Sequence, residues 1–146
     1  MDRKAQVAVS SVADIVAARQ KGRTLAMELG FDGSDLTMIA TAISEIARNI
    51  VDHAKRGTIT FSPIHNSSSR GILIVARDEG PGIRDVTQAM QYGFSSRNGL
   101  GVGLPGAKWL MDDFDIRSRV GKGTVVTMKK WLHHDEFHRE RNGAGD

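Results

Sequence analysis

The chain has 146 residues, 40% hydrophobic and 25% charged, with a formal net charge of +3, which fits one ordinary globular domain long enough to bury most of its apolar surface. The absence of cysteine excludes a disulfide framework, a thiolate metal site and a cysteine nucleophile. Charges of both signs are interspersed, and one Tyr and two Trp offer little for base stacking, so no nucleic acid is expected as a partner.

No apolar run approaches the roughly 18 residues of a membrane span, and the opening MDRKAQVAVSS is too polar for a signal peptide. No membrane association is expected, and the expected location is cytoplasmic. Taken in order, residues 6 to 10 alternate, with Val7 and Val9 on one face, and predict a short strand. Asp14 is then placed to cap a helix carrying Ile15, Ala18, Gly22, Leu25, Ala26 and Leu29 at helical spacing, with Gly30 at its C-terminal end. Arg19, Lys21 and Arg23 lie along this helix, either as a solvated face or as a docking surface for a partner protein.

A second helix is predicted from Ser34 or Asp35, with the stripe Ile39, Ile43, Ile46, Ala47 and Ile50. Glu45 and Asn49 are four apart, so they stack on one face at the border of that stripe. They are positioned to look into a cleft, although an exposed polar flank is the plainer reading. Arg48 is three residues after Glu45 and can pair with it.

Two strands follow, Thr58 to Phe61, limited by Pro63, and the apolar run Ile72 to Ala76, with Asp78 at its C-terminal end. The stretch from Asp78 to Gly106 begins with Asp78-Glu79-Gly80-Pro81-Gly82 and ends with Gly99-Leu100-Gly101-Val102-Gly103-Leu104. Glycines spaced two apart let a backbone approach a ligand and free N–H groups for anions, and a helix starting just after them adds its positive end. Neither the P-loop nor the dinucleotide fingerprint is present. The carboxylate of Asp78 accepts hydrogen bonds, so its natural partner is an amino group such as that of adenine. The segment between the two glycine clusters is a candidate lid, with a short helix near residues 85 to 90. Pro105 suits the first turn of a helix reaching about Asp113. A strand through Phe114, Ile116 and Ser118, a turn at Gly121-Lys122-Gly123 and a strand from Thr124 to Trp131 complete a hairpin. Residues 133–146 are mixed in charge and are read as a frayed tail, which leaves 1–132 as the domain. The element order implies a mixed sheet with helices packed on one face, an α/β two-layer sandwich.

Four signals combine: E-x-x-x-N on a helix (Glu45, Asn49), D-x-G-x-G after a strand (Asp78, Gly80, Gly82), G-x-G-x-G before a helix (Gly99, Gly101, Gly103) and G-x-G-T in the final hairpin (Gly121, Gly123, Thr124). Each is weak alone. In this order they resemble the N box and glycine boxes of the GHKL ATPase/kinase superfamily. The segments DIVAARQKGR, ELGF, AISEIARNI, GLGVGLPGAKWLMDDF and the later KWL look like the RsbT-type switch serine kinases of bacterial stressosomes. The lid sequence FSSRNG departs from the smaller residues usual in that family.

The resemblance implies a Bergerat-type ATP-binding fold, with a mostly antiparallel sheet and an ATP lid, and a serine/threonine protein kinase using ATP and Mg²⁺. It implies that Asp78 accepts from the adenine amino group with support from Thr124, with Gly80 and Gly82 shaping that loop. Asn49 would coordinate Mg²⁺, and the backbone of Gly99, Leu100, Gly101, Val102, Gly103 and Leu104 would wrap the phosphates. Glu45 would be the catalytic base, with Arg48 either neutralising phosphate charge or orienting Glu45. The implied partners are STAS-domain scaffold and antagonist proteins and a PP2C-type phosphatase or other output protein. Alternatives are an anti-sigma factor that binds sigma directly, a nucleotide-dependent binding module with little kinase activity, and a plain ATPase.

Overall fold

The computed structural model describes residues 4–90 and 103–132. Their elements are β1 (Ala5–Val9), α1 (Val12–Leu29), α2 (Gly33–Asn49), a π-helical turn (Ile50–Ala54), β2 (Gly57–His65), β3 (Arg70–Asp78), α3 (Val86–Ala89), α4 (Gly103–Leu110), β4 (Asp113–Arg119) and β5 (Gly123–Trp131). The strands form one sheet in the order β1-β2-β3-β5-β4, and all four pairings are antiparallel, so among the described residues the sheet is antiparallel throughout where a mixed, mostly antiparallel one was expected. α1, α2 and α4 lie on one face, giving the expected two-layer sandwich.

The alternation along each strand decides which side chains meet the helices. Ile59 and Phe61 of β2, Ile72, Ile74 and Ala76 of β3, and Val126 and Met128 of β5 are buried. They pack in one core with Ile15, Ala18 and Leu25 of α1 and with Ile39, Ile43 and Ile46 of α2. At about 1.5–3 kcal/mol for each large aliphatic side chain removed from water, this layer dominates the driving force for the fold. α1 comes close to α2 and the sheet at Gly22, where a β-carbon would run into Ile43 and the Phe61 ring.

Local chemistry sets the ends of the elements. The N-cap of α1 is Ser11, not Asp14 as expected. The Ser11 hydroxyl accepts from the Asp14 N–H, while the Asp14 carboxylate reaches back to the Ser10 N–H at 2.8 Å. These hydrogen bonds, that of the Ser10 backbone first, hold the Asp14 carboxyl below its ordinary value. Gly30 closes the same helix with its N–H on the Ala26 and Met27 carbonyls. α2 begins at Gly33, slightly earlier than expected. α4 stops at Leu110, before the expected Asp113, because residue 113 has already entered β4.

β2 runs through Pro63, which was expected to limit it. Among the described residues its pairing with β1 reaches Ala5↔Phe61, and Pro63 stands opposite Ile72 of β3. The expected tail at 133–146 lies outside the described residues.

Candidate functional site

α2 carries the first half of the site. Its apolar stripe turns the neighbouring Glu45 inward, so Glu45 is only 6% exposed and is not on an open polar flank. Glu45 Oε1 accepts the backbone N–H of Gly103 at 2.9 Å. Gly103 is the first residue of α4 and has φ of 69°, a left-handed conformation that favours glycine. The carboxylate therefore sits at the positive end of α4. Arg48 Nη1 lies 3.4 Å from Glu45 Oε2, a long contact with a half-buried guanidinium.

Asn49 is half-buried on the last residue of α2, one turn beyond Glu45. The chain then widens into the π-helical turn, which packs against the loop after β3. A β-carbon on Gly80 would meet Ala54, and one on Gly57 would meet Ile50 and Asp78. Only glycine lets the end of α2 and the acidic loop come this close. Asn49 is thereby brought to the same end of the sheet as Asp78.

The second half of the site is one cross-strand row. Gly57, Asp78, Thr124 and Ser118 are consecutive partners across β2, β3, β5 and β4. Asp78 follows Ile72, Ile74 and Ala76 in alternation, so it faces the helix layer. One of its oxygens accepts from the Gly80 N–H at 2.9 Å. Thr124 is buried. Gly123 just before it has φ of 115°, and a β-carbon there would collide with the Asp78 carbonyl. Asp78, Thr124 and Ser118 line a recess of about 520 Å³ with Val86 and Ile116 as apolar walls and Lys122 at its margin. That size and that mix of apolar walls with a few polar groups suit a small organic ligand.

The loop after β3 is tied to the last hairpin. The Gly121 N–H donates to the Pro81 carbonyl at 2.8 Å, and Gly82 rests on the Arg119 carbonyl with no room for a side chain. The Ile83 N–H donates to Ser118 Oγ at 2.7 Å. Sequence reasoning did not select Ser118. Its signal is a polar residue in the inward-facing series Phe114, Ile116, Ser118 of β4.

The structure thus brings Glu45, Arg48 and Gly103 together at the junction of α2 and α4, with Asn49 one turn further along α2. It groups Asp78, Gly80, Gly82 and Thr124 at the ends of β3 and β5. Leu104 is buried in the core, so its side chain anchors α4. The expected phosphate-wrapping residues Gly99, Leu100, Gly101 and Val102, and most of the expected lid, lie outside the described residues. Among the described residues no group of three or more His, Asp or Glu is arranged to hold a metal ion, and no helix is long and apolar enough to cross a membrane.

Comparison with known proteins gives the family. The family described as histidine kinase-like ATPase domain matches residues 8–130. The chain is 47% identical over 132 residues to the serine/threonine-protein kinase RsbT of Bacillus subtilis (strain 168), covering 90% of this chain and 99% of that protein. It is 35% identical to the anti-sigma F factor of Thermoanaerobacter sp. (strain X514), covering 70% of this chain and 74% of that protein. It is 36% identical to the anti-sigma F factor of Caldanaerobacter subterraneus subsp. tengcongensis, covering 67% and 71%. The chain belongs to the histidine kinase-like ATPase domain family, as a serine/threonine protein kinase of the RsbT type.

Proposed function

We propose that the chain is a cytoplasmic Mg-ATP-dependent kinase that phosphorylates STAS-domain scaffold and antagonist proteins of a stressosome. By partner switching it then binds and activates an output protein such as a PP2C-type phosphatase. The observation that carries the kinase reading is the buried Glu45 held at the N-terminus of α4 with Asn49 one turn away. A carboxylate so placed has the chemistry of a general base for an acceptor hydroxyl.

In this reading Asp78 accepts from the adenine amino group inside the recess, with Thr124 beside it. The backbone of residues 99–104 wraps the phosphates. The acceptor hydroxyl of the substrate attacks the γ-phosphorus, the bond to the bridging oxygen of ADP breaks, and the hydroxyl proton passes to Glu45. Phosphoryl transfer depends mostly on positioning and charge neutralisation, with the acceptor held in line. Arg48 orients Glu45.

The donor set fits Mg²⁺. The amide oxygen of Asn49 is a hard ligand, and Mg²⁺ commonly takes one or two protein ligands and completes its shell with phosphates and water. Asn49 would hold the ion, which would supply neutralisation of phosphate charge.

Partner exchange requires a surface outside the site, and α1 offers one. Val12, Val16 and Met27 are exposed at 71%, 39% and 52%. They share a helix face with Arg19 and Arg23, at spacings of three and four residues. An apolar and basic stripe of this kind suits an acidic protein surface. The likeness to anti-sigma F factors favours a second reading, direct binding of a sigma factor, which co-purification with sigma would reveal.

The deciding experiment is intact-mass analysis of a STAS-domain protein from the same organism, incubated with Mg-ATP and this chain beside a Glu45→Ala control. A gain of one phosphoryl group, absent in the control, is the expected result. Complex formation and ATP binding without any gain would replace the kinase reading with that of a binding module.

A further inference from the structure

Ser118 touches three groups, and counting protons fixes the direction of each contact. Its Oγ accepts from the Ile83 N–H at 2.7 Å. It lies 3.2 Å from the Gly123 carbonyl oxygen, which can only accept, so the single Ser118 proton goes there. The third contact, to Thr124 Oγ1 at 2.7 Å, then needs the Thr124 proton. This is the one assignment in which all three contacts are hydrogen bonds.

Thr124 has only one proton. Once it is given to Ser118, Thr124 can offer only lone pairs to anything in the recess. Its cross-strand partner on the same face is Asp78, whose carboxylate likewise accepts. The two groups side by side make a surface of acceptors, matched to a ligand edge that carries donors. A 6-amino group has two hydrogens, one for each of these acceptors, whereas a 6-carbonyl oxygen in the same place would set lone pairs against both, and such mismatches cost binding energy.

We propose that Ser118 is a specificity-determining positioning residue: by taking the Thr124 proton it makes Thr124 an obligate acceptor beside Asp78, and so selects a 6-amino purine over a 6-oxo purine. This rests on the reading of the Asp78–Thr124 recess as the base pocket. Ser118 itself does not touch the base.

The test is titration calorimetry of ATP and inosine triphosphate, which differ at the 6-position, on the full chain. The variants are Ser118→Ala, Ser118→Thr and Asp78→Ala. The unaltered chain should bind ATP more tightly. Ser118→Ala frees the Thr124 hydroxyl to donate, so the ratio of the two affinities should fall about fivefold, as expected for one hydrogen bond changing direction. Ser118→Thr, which keeps a hydroxyl, should retain the ratio. A purely structural role, through the anchor on Ile83, would weaken both nucleotides alike; an unchanged ratio in Ser118→Ala with ATP binding still dependent on Asp78 would overturn this proposal alone. Equal affinity of the unaltered chain for both nucleotides would overturn it without recourse to any variant. ATP binding unaffected by Asp78→Ala would instead remove the base-pocket reading beneath it.

Discussion

Glu45 on α2 caps the first turn of α4: its Oε1 lies 2.9 Å from the backbone nitrogen of Gly103. The same carboxylate is thus a structural acceptor and the proposed base. These roles separate in Glu45→Gln, which keeps an oxygen for Gly103 but cannot take up the hydroxyl proton as a carboxylate does. The expected outcome is a fall in kcat of about 10²–10⁴-fold, the usual range for loss of general-base help. KM for ATP should change little. Glu45→Ala should add a loss of about 1 kcal/mol in stability, because the Gly103 N–H loses its partner. Steady-state kinetics and urea denaturation of both variants check this.

Gly22 shows packing opposing helix propensity. Alanine in the middle of α1 would favour the helix by about 1 kcal/mol. Its β-carbon would however run into Ile43 Cδ1 and the Phe61 ring. The methyl of Ile43 can swing aside, but Phe61 is fully buried and cannot move without disturbing the sheet. Overpacking of this kind costs about 1–3 kcal/mol, so Gly22→Ala should be net destabilising. A rise in urea midpoint would show that α1 can lift away from the sheet.

Much of the arrangement was legible because its signals are local. The stripe of α2, the alternation in β3 and β5, and the turn at Gly121 to Gly123 each report their element within a few residues. The pairing of Glu45 with Asn49 on one face followed from a spacing of four. What stayed hidden depends on register and on contacts far apart in the chain. That Ser118 lies beside Thr124 requires knowing that Arg119 pairs with Gly123. The bond from Gly103 to Glu45 spans 58 positions. The π-helical turn after Asn49 has no sequence signal of its own, and its end at Ala54 lies against Gly80, a residue 26 positions away in the chain. Pro63 misled because the pairing of β2 with β3 continues through it, with Pro63 opposite Ile72.

Lys130 is a second long-range anchor. It is buried on β5, and its ammonium donates to the Leu110 carbonyl at 2.9 Å while lying 3.6 Å from an Asp112 carboxylate oxygen. It therefore fastens the C-terminal end of α4, the helix whose other end meets Glu45. Lys130→Met keeps the apolar stem and removes the charge. Hydrogen bonds to charged groups contribute about 1.5–3 kcal/mol, and relief of the buried charge offsets part of that. A loss of about 1–2 kcal/mol is expected by chemical denaturation. Lys130→Arg should not restore the native value, because a planar guanidinium does not fit a site shaped for an ammonium.

The α1 cap makes stability depend on pH. The Ser10 backbone N–H, helped by the Ser11 and Ser10 hydroxyls and opposed by desolvation, holds the folded Asp14 carboxyl below its ordinary value of 3.8. A group whose value is depressed on folding stabilises the fold fully above its unfolded value, and that contribution is lost as pH falls through the folded value. The stability difference between the native chain and Asp14→Ala should therefore be constant from neutral pH down to about pH 5. It should shrink progressively in more acidic solution. Denaturation midpoints of both proteins across that range measure it, and a difference that does not vary with pH would place the cap energy elsewhere.

The outer face of α1 is the remaining surface to test. Arg23 Nη1 lies 3.5 Å from Met27 Sδ, so the guanidinium is laid along the apolar stripe and not extended into solvent. Charge and apolar area are thereby offered together, a combination that suits a partner carrying an acidic rim around an apolar centre. Arg19→Glu together with Arg23→Glu should weaken binding to an acidic STAS-domain partner by about tenfold or more, corresponding to about 1.4 kcal/mol, and chiefly by slowing association. ATP affinity should be unchanged, since neither residue lines the recess between β3 and β5. Surface plasmon resonance at two salt concentrations separates the cases. Loss of the salt dependence with the double variant supports electrostatic docking through α1, whereas unchanged partner affinity would move the docking surface to another face of the molecule.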